Sequence, residues 1–204
     1  MIAIIDYGAG NVHSVQKALS YIGCETVITA DPAVIGKADG VILPGVGAFG
    51  DAMHSLTASG LDTVAKEYIA SGRPFLGICL GLQVLFERSE ETPDVDGLSV
   101  FGGEIVKIPS DGGLKVPQIG WNALDCNKDC PLFDGLPENP YVYFVHSYYL
   151  KAADPSVVAA TTRYGVEIHA AAWRGNCFAV QFHPEKSGDV GLAMLRNFRK
   201  LVEN

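Results

Sequence analysis

The stretch Pro74-Phe75-Leu76-Gly77-Ile78-Cys79-Leu80-Gly81-Leu82-Gln83-Val84-Leu85-Phe86-Glu87 decides the reading of this chain. Pro74–Ile78 is a short apolar run of strand character, and Leu80–Glu87 has the apolar spacing of a helix. Between them lies Gly77-Ile78-Cys79-Leu80-Gly81, the pattern of a nucleophile elbow with cysteine as the reactive residue. Such a turn is too tight for ordinary backbone angles, and the glycines let strand and helix approach closely. A sulfur placed there faces a helix N-terminus, where the dipole favours thiolate. The Leu80 N–H opens toward the same point and suits an oxyanion.

The flanking sequence sets this elbow in an alternating strand–helix frame. Ile2–Asp6 reads as a strand, followed by a Gly-rich turn and a helix over Val12–Ile22 that stops at Gly23. Strands follow at Thr26–Thr29 and Gly40–Leu43, then a helix over Leu56–Ala70 ending at Gly72. This alternation predicts a doubly wound, mostly parallel α/β sheet. Beyond the elbow the pattern changes. Ser99–Ile108, Val116–Trp121, Tyr141–Val145, Val157–Thr162, Glu167–Trp173 and Cys177–Gln181 are strand-like, which predicts an antiparallel extension. Gly188–Val202 closes the chain as an amphipathic helix, with Leu192, Leu195, Phe198 and Leu201 or Val202 inward. No linker or repeat interrupts the sequence, so residues 1–204 are expected to form one domain.

Composition narrows the function classes. The 204 residues are 48% hydrophobic and 19% charged, a globular balance that excludes a disordered or fibrous chain. Fifteen basic against 23 acidic residues give a net charge of −8, which disfavours nucleic acid and anionic membranes. No apolar run spans a bilayer, and the start Met-Ile-Ala-Ile-Ile-Asp lacks a signal peptide's charged region. The odd cysteine count of five fits a reducing cytoplasm. Cys126 and Cys130 are spaced C-x3-C, but no second pair accompanies them, so no metal is expected.

Two further segments complete a reactive set. Gln181-Phe182-His183-Pro184-Glu185 follows an apolar strand, and residues two apart in extended chain project to one side. One nitrogen of His183 is free to take the Cys79 proton while the other donates to Glu185. Pro44-Gly45-Val46-Gly47 ends the strand before the Cys79 strand, and its glycines let the Val46 and Gly47 amides face a substrate. One of these amides would complete the oxyanion hole with Leu80.

In this order the three segments resemble the class I (triad) glutamine amidotransferases over nearly the whole chain. Asp6-Tyr7-Gly8-Ala9-Gly10-Asn11, Pro44 through Gly50, Gly120-Trp121-Asn122 and Tyr143-Phe144-Val145-His146-Ser147-Tyr148 narrow the resemblance. They look like the glutaminase subunits of imidazole glycerol phosphate synthases, although Gln118 stands where many relatives carry histidine. The resemblance implies L-glutamine as substrate, a Cys79–His183–Glu185 triad, oxyanion donors at Val46 and Leu80, and no cofactor. It implies glutamine contacts at Gly45, Gly47, Gln83, His146, Ser147 and Tyr148. It further implies a heterodimer with a (β/α)8 cyclase subunit, meeting it at Asn11, Trp121 and Lys186. Free ammonia needs an acceptor, and this chain offers no room for a second domain that would hold one. Another class I amidotransferase subunit, a non-catalytic relative and a thioesterase-like hydrolase are the competing readings. The intact Cys79, His183 and Glu185 argue against the second; cysteine in place of serine, with no later Asp-then-His order, argues against the third.

Overall fold

A computed structural model describes residues 1–110 and 113–203. The parallel half of the sheet is built from β1 (Ile2–Ile5), β2 (Thr26–Thr29), β3 (Gly40–Gly45), β4 (Phe75–Cys79) and β13 (Cys177–Val180). They lie in the order β2-β1-β3-β4-β13, all parallel. The sheet then continues antiparallel through β12 (Val166–Arg174), β10 (Tyr148–Ala152) and β6 (Gly103–Lys107), and ends on β5 (Arg88–Ser89), which lies parallel to β6. On β12 also pairs β11 (Val158–Tyr164), which carries β8 (Asp125–Cys126). A separate ribbon joins β7 (Gln118–Ala123) to β9 (Tyr141–His146). The expected mostly parallel sheet with an antiparallel extension is therefore the fold.

Burial on both faces explains the uninterrupted apolar runs of the central strands. In β1, Ile2 and Ile4 enter one core and Ala3 and Ile5 the other. The first core is covered by α1 (Val12–Tyr21) and α6 (Gly188–Glu203), through Val15 and Leu19 and through Met194, Leu195 and Phe198. The second is covered by α2 (Pro32–Lys37), α3 (Phe49–Ala58) and α4 (Leu61–Ala70). Leu192, Leu201 and Val202, expected inward on the last helix, are only partly buried against the first core. No helix of the described residues is long and apolar enough to cross a membrane.

Three expectations need correction. The segment Leu56–Ala70 is two helices, not one. Gly60 takes φ +72° and Ser59 folds its hydroxyl onto Ser55 O at 2.7 Å, which ends α3 before α4 starts. Helix α2 has no counterpart among the expected elements, although Asp31-Pro32 carries the signal: the Asp31 carboxylate accepts from Ala33 N at 2.8 Å, with proline in the first turn. Finally, the helix after Cys79 is one turn, α5 (Leu80–Gln83), rather than Leu80–Glu87. The carbonyls of Val84, Leu85, Phe86 and Glu87 instead accept from the backbone of residues 97–101. That competition also removes Ser99–Phe101 from the strand expected over Ser99–Ile108, leaving β6.

The elbow glycines are required by close approach rather than by unusual φ. A Cβ on Gly81 would sit 1.8 Å from Leu43 O, and one on Gly77 would sit 2.7 Å from Gly81 O. Neither neighbour is a movable side chain. Gly81→Ala therefore lowers the unfolding free energy by about 3 kcal/mol or more, read in chemical denaturation. A wild-type midpoint for that variant would contradict this packing.

Candidate active site

The reactive residues gather at the carboxyl ends of four neighbouring parallel strands, where open α/β sheets bind ligands. The loop after β1 carries Asn11, β3 ends at Gly45, β4 ends at Cys79, and β13 leads into Gln181 and His183. Cys79 has φ +55° and ψ −107°, outside the basins open to L-residues. This strain, on the order of 1–3 kcal/mol, is imposed by a strand that must turn into a helix within one residue. Leu80 follows as the first helical residue, so its N–H has no partner within the helix.

His183 is fully buried, and its Nδ1 lies 2.7 Å from Glu185 Oε1. The Glu185 side chain is also fully buried, and Asn11 Nδ2 donates to the same oxygen at 2.6 Å. The turn Pro184–Lys186 is pinned by His183 N on Tyr143 O at 3.0 Å and by Ser187 Oγ on His183 O at 2.7 Å. Burial alone would lower the His183 pKa. The closeness of Cys79, and the hydrogen bond and charge of Glu185, overcome burial and raise it to about 9. With Nδ1 committed to Glu185, the buried Nε2 has no hydrogen bond and remains the nitrogen available to the sulfur.

A cleft of about 310 Å³ opens over the pair. It is lined by Val46, Gly47, Cys79, Leu80, Gln83 and Glu91 together with Ser147, Tyr148 and His183. His146 lines it too, but its ring is tied down: Nδ1 lies 2.8 Å from Tyr148 O and Nε2 lies 3.0 Å from the Gln118 amide. Burial pushes its pKa down to about 4, so it is neutral at ordinary pH. A neutral ring has one N–H, and the Tyr148 carbonyl only accepts; Nδ1 therefore holds the proton. The Tyr148 carbonyl sets this tautomer, and the Gln118 amide, opposite His146 across the ribbon, then turns its NH2 to Nε2.

Two expected contacts differ from the structure. Gly45 does not line the cleft. It pairs with Cys79 in the sheet and packs under Tyr7, whose hydroxyl would meet a Cβ there at 2.1 Å. The Val46 N–H, expected in the oxyanion hole, donates instead to Ala9 O at 3.1 Å. The glycine-rich loop of residues 8–10 supplies an acceptor that the strand pattern did not reveal. Asn11 contacts the Pro184–Lys186 turn through Glu185, Lys186 belongs to it, and Trp121 lies near Gly188 just beyond it. Trp121 is 53% exposed, stacks edge-on against Tyr143 and sits over Gly188, while Lys186 is exposed. Asn11 itself is spent on Glu185.

Sequence reasoning missed Glu91 and Gln181. Glu91 Oε2 accepts from Phe49 N at 2.8 Å and puts a carboxylate in the cleft; in the sequence it belongs to an acidic run that reads as a solvated surface. Gln181 is fully buried beside Cys79, and an amide directly after the apolar run Cys177–Val180 was its one signal. Cys126 and Cys130 lie remote from the cleft, with burial raising their thiols to about 12 and 11. Among the described residues no cluster of three or more His, Cys, Asp or Glu could hold a metal.

Comparison with known proteins places the chain among its relatives. The chain is 52% identical to imidazole glycerol phosphate synthase subunit HisH of Syntrophotalea carbinolica, covering 97% of this chain and 98% of that protein. It is 53% identical to the same subunit of Thermosynechococcus vestitus, covering 100% and 98%. Among solved structures, a glutamine amidotransferase from Thermotoga maritima superposes with a TM-score of 0.70 at 16% identity, over 100% of this chain and 98% of that one. PurLQS from Thermotoga maritima gives 0.76 at 19%, over 98% and 97%. These two likenesses concern the fold alone. The model of the glutamine amidotransferase class-I family matches residues 3–201, and the chain belongs to that family.

Proposed function

We propose that this chain is the glutaminase subunit of an imidazole glycerol phosphate synthase. On this reading residues 1–204 act as one domain that hydrolyses L-glutamine and passes ammonia to a (β/α)8 cyclase subunit. The observation that carries it is the buried His183–Glu185 pair beside a strained Cys79 at the strand ends. Full-length similarity to subunits bearing that name selects the acceptor reaction from the others the family serves.

The Cys79 thiolate attacks the side-chain carbonyl of glutamine. The tetrahedral oxyanion takes hydrogen bonds from Leu80 N–H and from Val46 N–H, once the latter leaves Ala9 O. His183 hands its Nε2 proton to the departing ammonia, leaving a γ-glutamyl thioester on Cys79. It then draws a proton from water, which attacks the thioester; the sulfur leaves and glutamate departs. Glu185, held in turn by Asn11, keeps Nδ1–H oriented and offsets the imidazolium charge. Glu91 presents a carboxylate suited to the α-ammonium of glutamine. Gln83, Gly47 and the Ser147–Tyr148 segment position the rest of the substrate. His146 is neutral and tied at both nitrogens, so it orients the Tyr148 backbone rather than exchanging protons.

The cyclase meets the edge formed by Asn11, Trp121 and Lys186, beside the exposed Ile119 and Tyr141 of the ribbon. Closing that edge over the triad limits ammonia loss. A biosynthetic subunit with five unpaired cysteines works in the cytoplasm. Amide-15N glutamine supplies the test. Chain, cyclase and the phosphoribulosyl-formimino carboxamide nucleotide together place label in imidazole glycerol phosphate. Absence of a complex with the cyclase, and of label in that product, would refute the acceptor assignment.

A further inference from the structure

Gln181 has no exposed surface and lies between two functional elements. Its Nε2 is 3.7 Å from Cys79 Sγ, and its Oε1 is 3.0 Å from Gln83 Nε2. Gln83 Nε2 also donates to the backbone carbonyl of Tyr148 at 3.1 Å. Building on the reading of Cys79 as nucleophile, we propose that Gln181 is its positioning residue, donating an amide N–H that orients the sulfur and favours the thiolate.

The polarity of this relay follows from one backbone group. A carbonyl only accepts, so the end of the Gln83 amide at Tyr148 O must be its NH2. That same nitrogen faces Gln181, so the facing atom there must be Oε1. A planar amide then turns its own NH2 the other way, toward the sulfur. The direction of the donor is thus set two residues away in the network, independently of how either amide is oriented by convention.

Two features of the site give this donor a purpose. The α5 helix is a single turn of four residues, so it offers the sulfur less macrodipole than the longer helix read from the sequence. The Leu80 N–H is needed by the oxyanion and is not free to serve the sulfur as well. A buried N–H with no other acceptor interacts more strongly with an anionic sulfur than with a thiol. Gln181 therefore supplies the sulfur while Leu80 serves the carbonyl oxygen.

The test uses the whole chain without glutamine. Iodoacetamide alkylation of Cys79 is followed against pH by peptide-resolved mass spectrometry, which separates Cys79 from the four other thiols. Gln181→Met removes the donor and keeps the shape; its alkylation midpoint rises by about one pH unit. Gln83→Met, which does not touch Sγ, removes the lock on the amide's direction and shifts the midpoint upward by less. A purely structural Gln181 would lower thermal stability and leave both midpoints unchanged. An unshifted Gln181→Met overturns the proposal; if that chain does not fold, an unshifted Gln83→Met does so. Because no glutamine is present, that failure would leave the glutaminase reading intact, whereas absent glutaminase activity in the wild type would count against the latter alone.

Discussion

Cys79→Ala abolishes glutamine hydrolysis, lowering kcat by about 10⁴-fold or more, and leaves the fold in place. Without sulfur there is no thioester, and water alone must attack an amide. The side chain is buried, but its loss opens little space because alanine keeps the Cβ. The strained backbone at φ +55° also persists, so thermal unfolding moves little. Cys79→Gly provides the internal control. It is equally inactive, yet it relieves the left-handed strain and unfolds at higher temperature than Cys79→Ala. Steady-state glutamate release and calorimetry read the two effects separately. Residual turnover above a few per cent of wild type in purified Cys79→Ala would remove the cysteine from the mechanism.

The isolated chain hydrolyses glutamine slowly, and the cyclase loaded with its nucleotide raises kcat by about 10²–10³-fold. The physical reason is the Val46 amide. In this structure it donates to Ala9 O, so one of two oxyanion donors faces away from the substrate. Loss of a single such donor costs a factor of this size. The Gly8–Gly10 loop that holds the amide runs directly into Asn11, which contacts Glu185 and stands at the proposed interface. A partner docking there is placed to move the loop. Activation appears in kcat far more than in KM, since the Val46 donor acts on the oxyanion and not on bound glutamine. Equal turnover with and without the loaded partner would contradict the role given to this hydrogen bond.

Much of the fold could be read from the residues because its central strands are buried on both faces. Ile2–Ile5, Val41–Leu43 and Phe75–Ile78 are unbroken apolar runs, and glycines mark where each run turns. The chain after Cys79 was less legible. Leu82, Val84, Leu85 and Phe86 have helical spacing, but residues 97–101 compete for the carbonyls of Val84 through Glu87, and a contact between distant segments leaves no local trace. The same limit governs the site. Cys79, His183 and Glu185 stood out because an elbow and a stiff His-Pro-Glu turn are local. Glu91 acquires its place from a hydrogen bond to Phe49, and Gln181 from Gln83 and Tyr148, each far along the chain. The strand end offers the Val46 and Gly47 amides to an oxyanion without choosing between them, and only the position of Ala9 O shows where the Val46 N–H points.

The claim on which the account turns is that Cys79, and no other thiol, is acylated by glutamine. Incubation with an electrophilic glutamine analogue, followed by peptide-resolved mass spectrometry, addresses it directly. The account predicts a single adduct on Cys79, formed much more slowly in His183→Ala. No adduct there, or one carried by Cys24, Cys126, Cys130 or Cys177 instead, would contradict it.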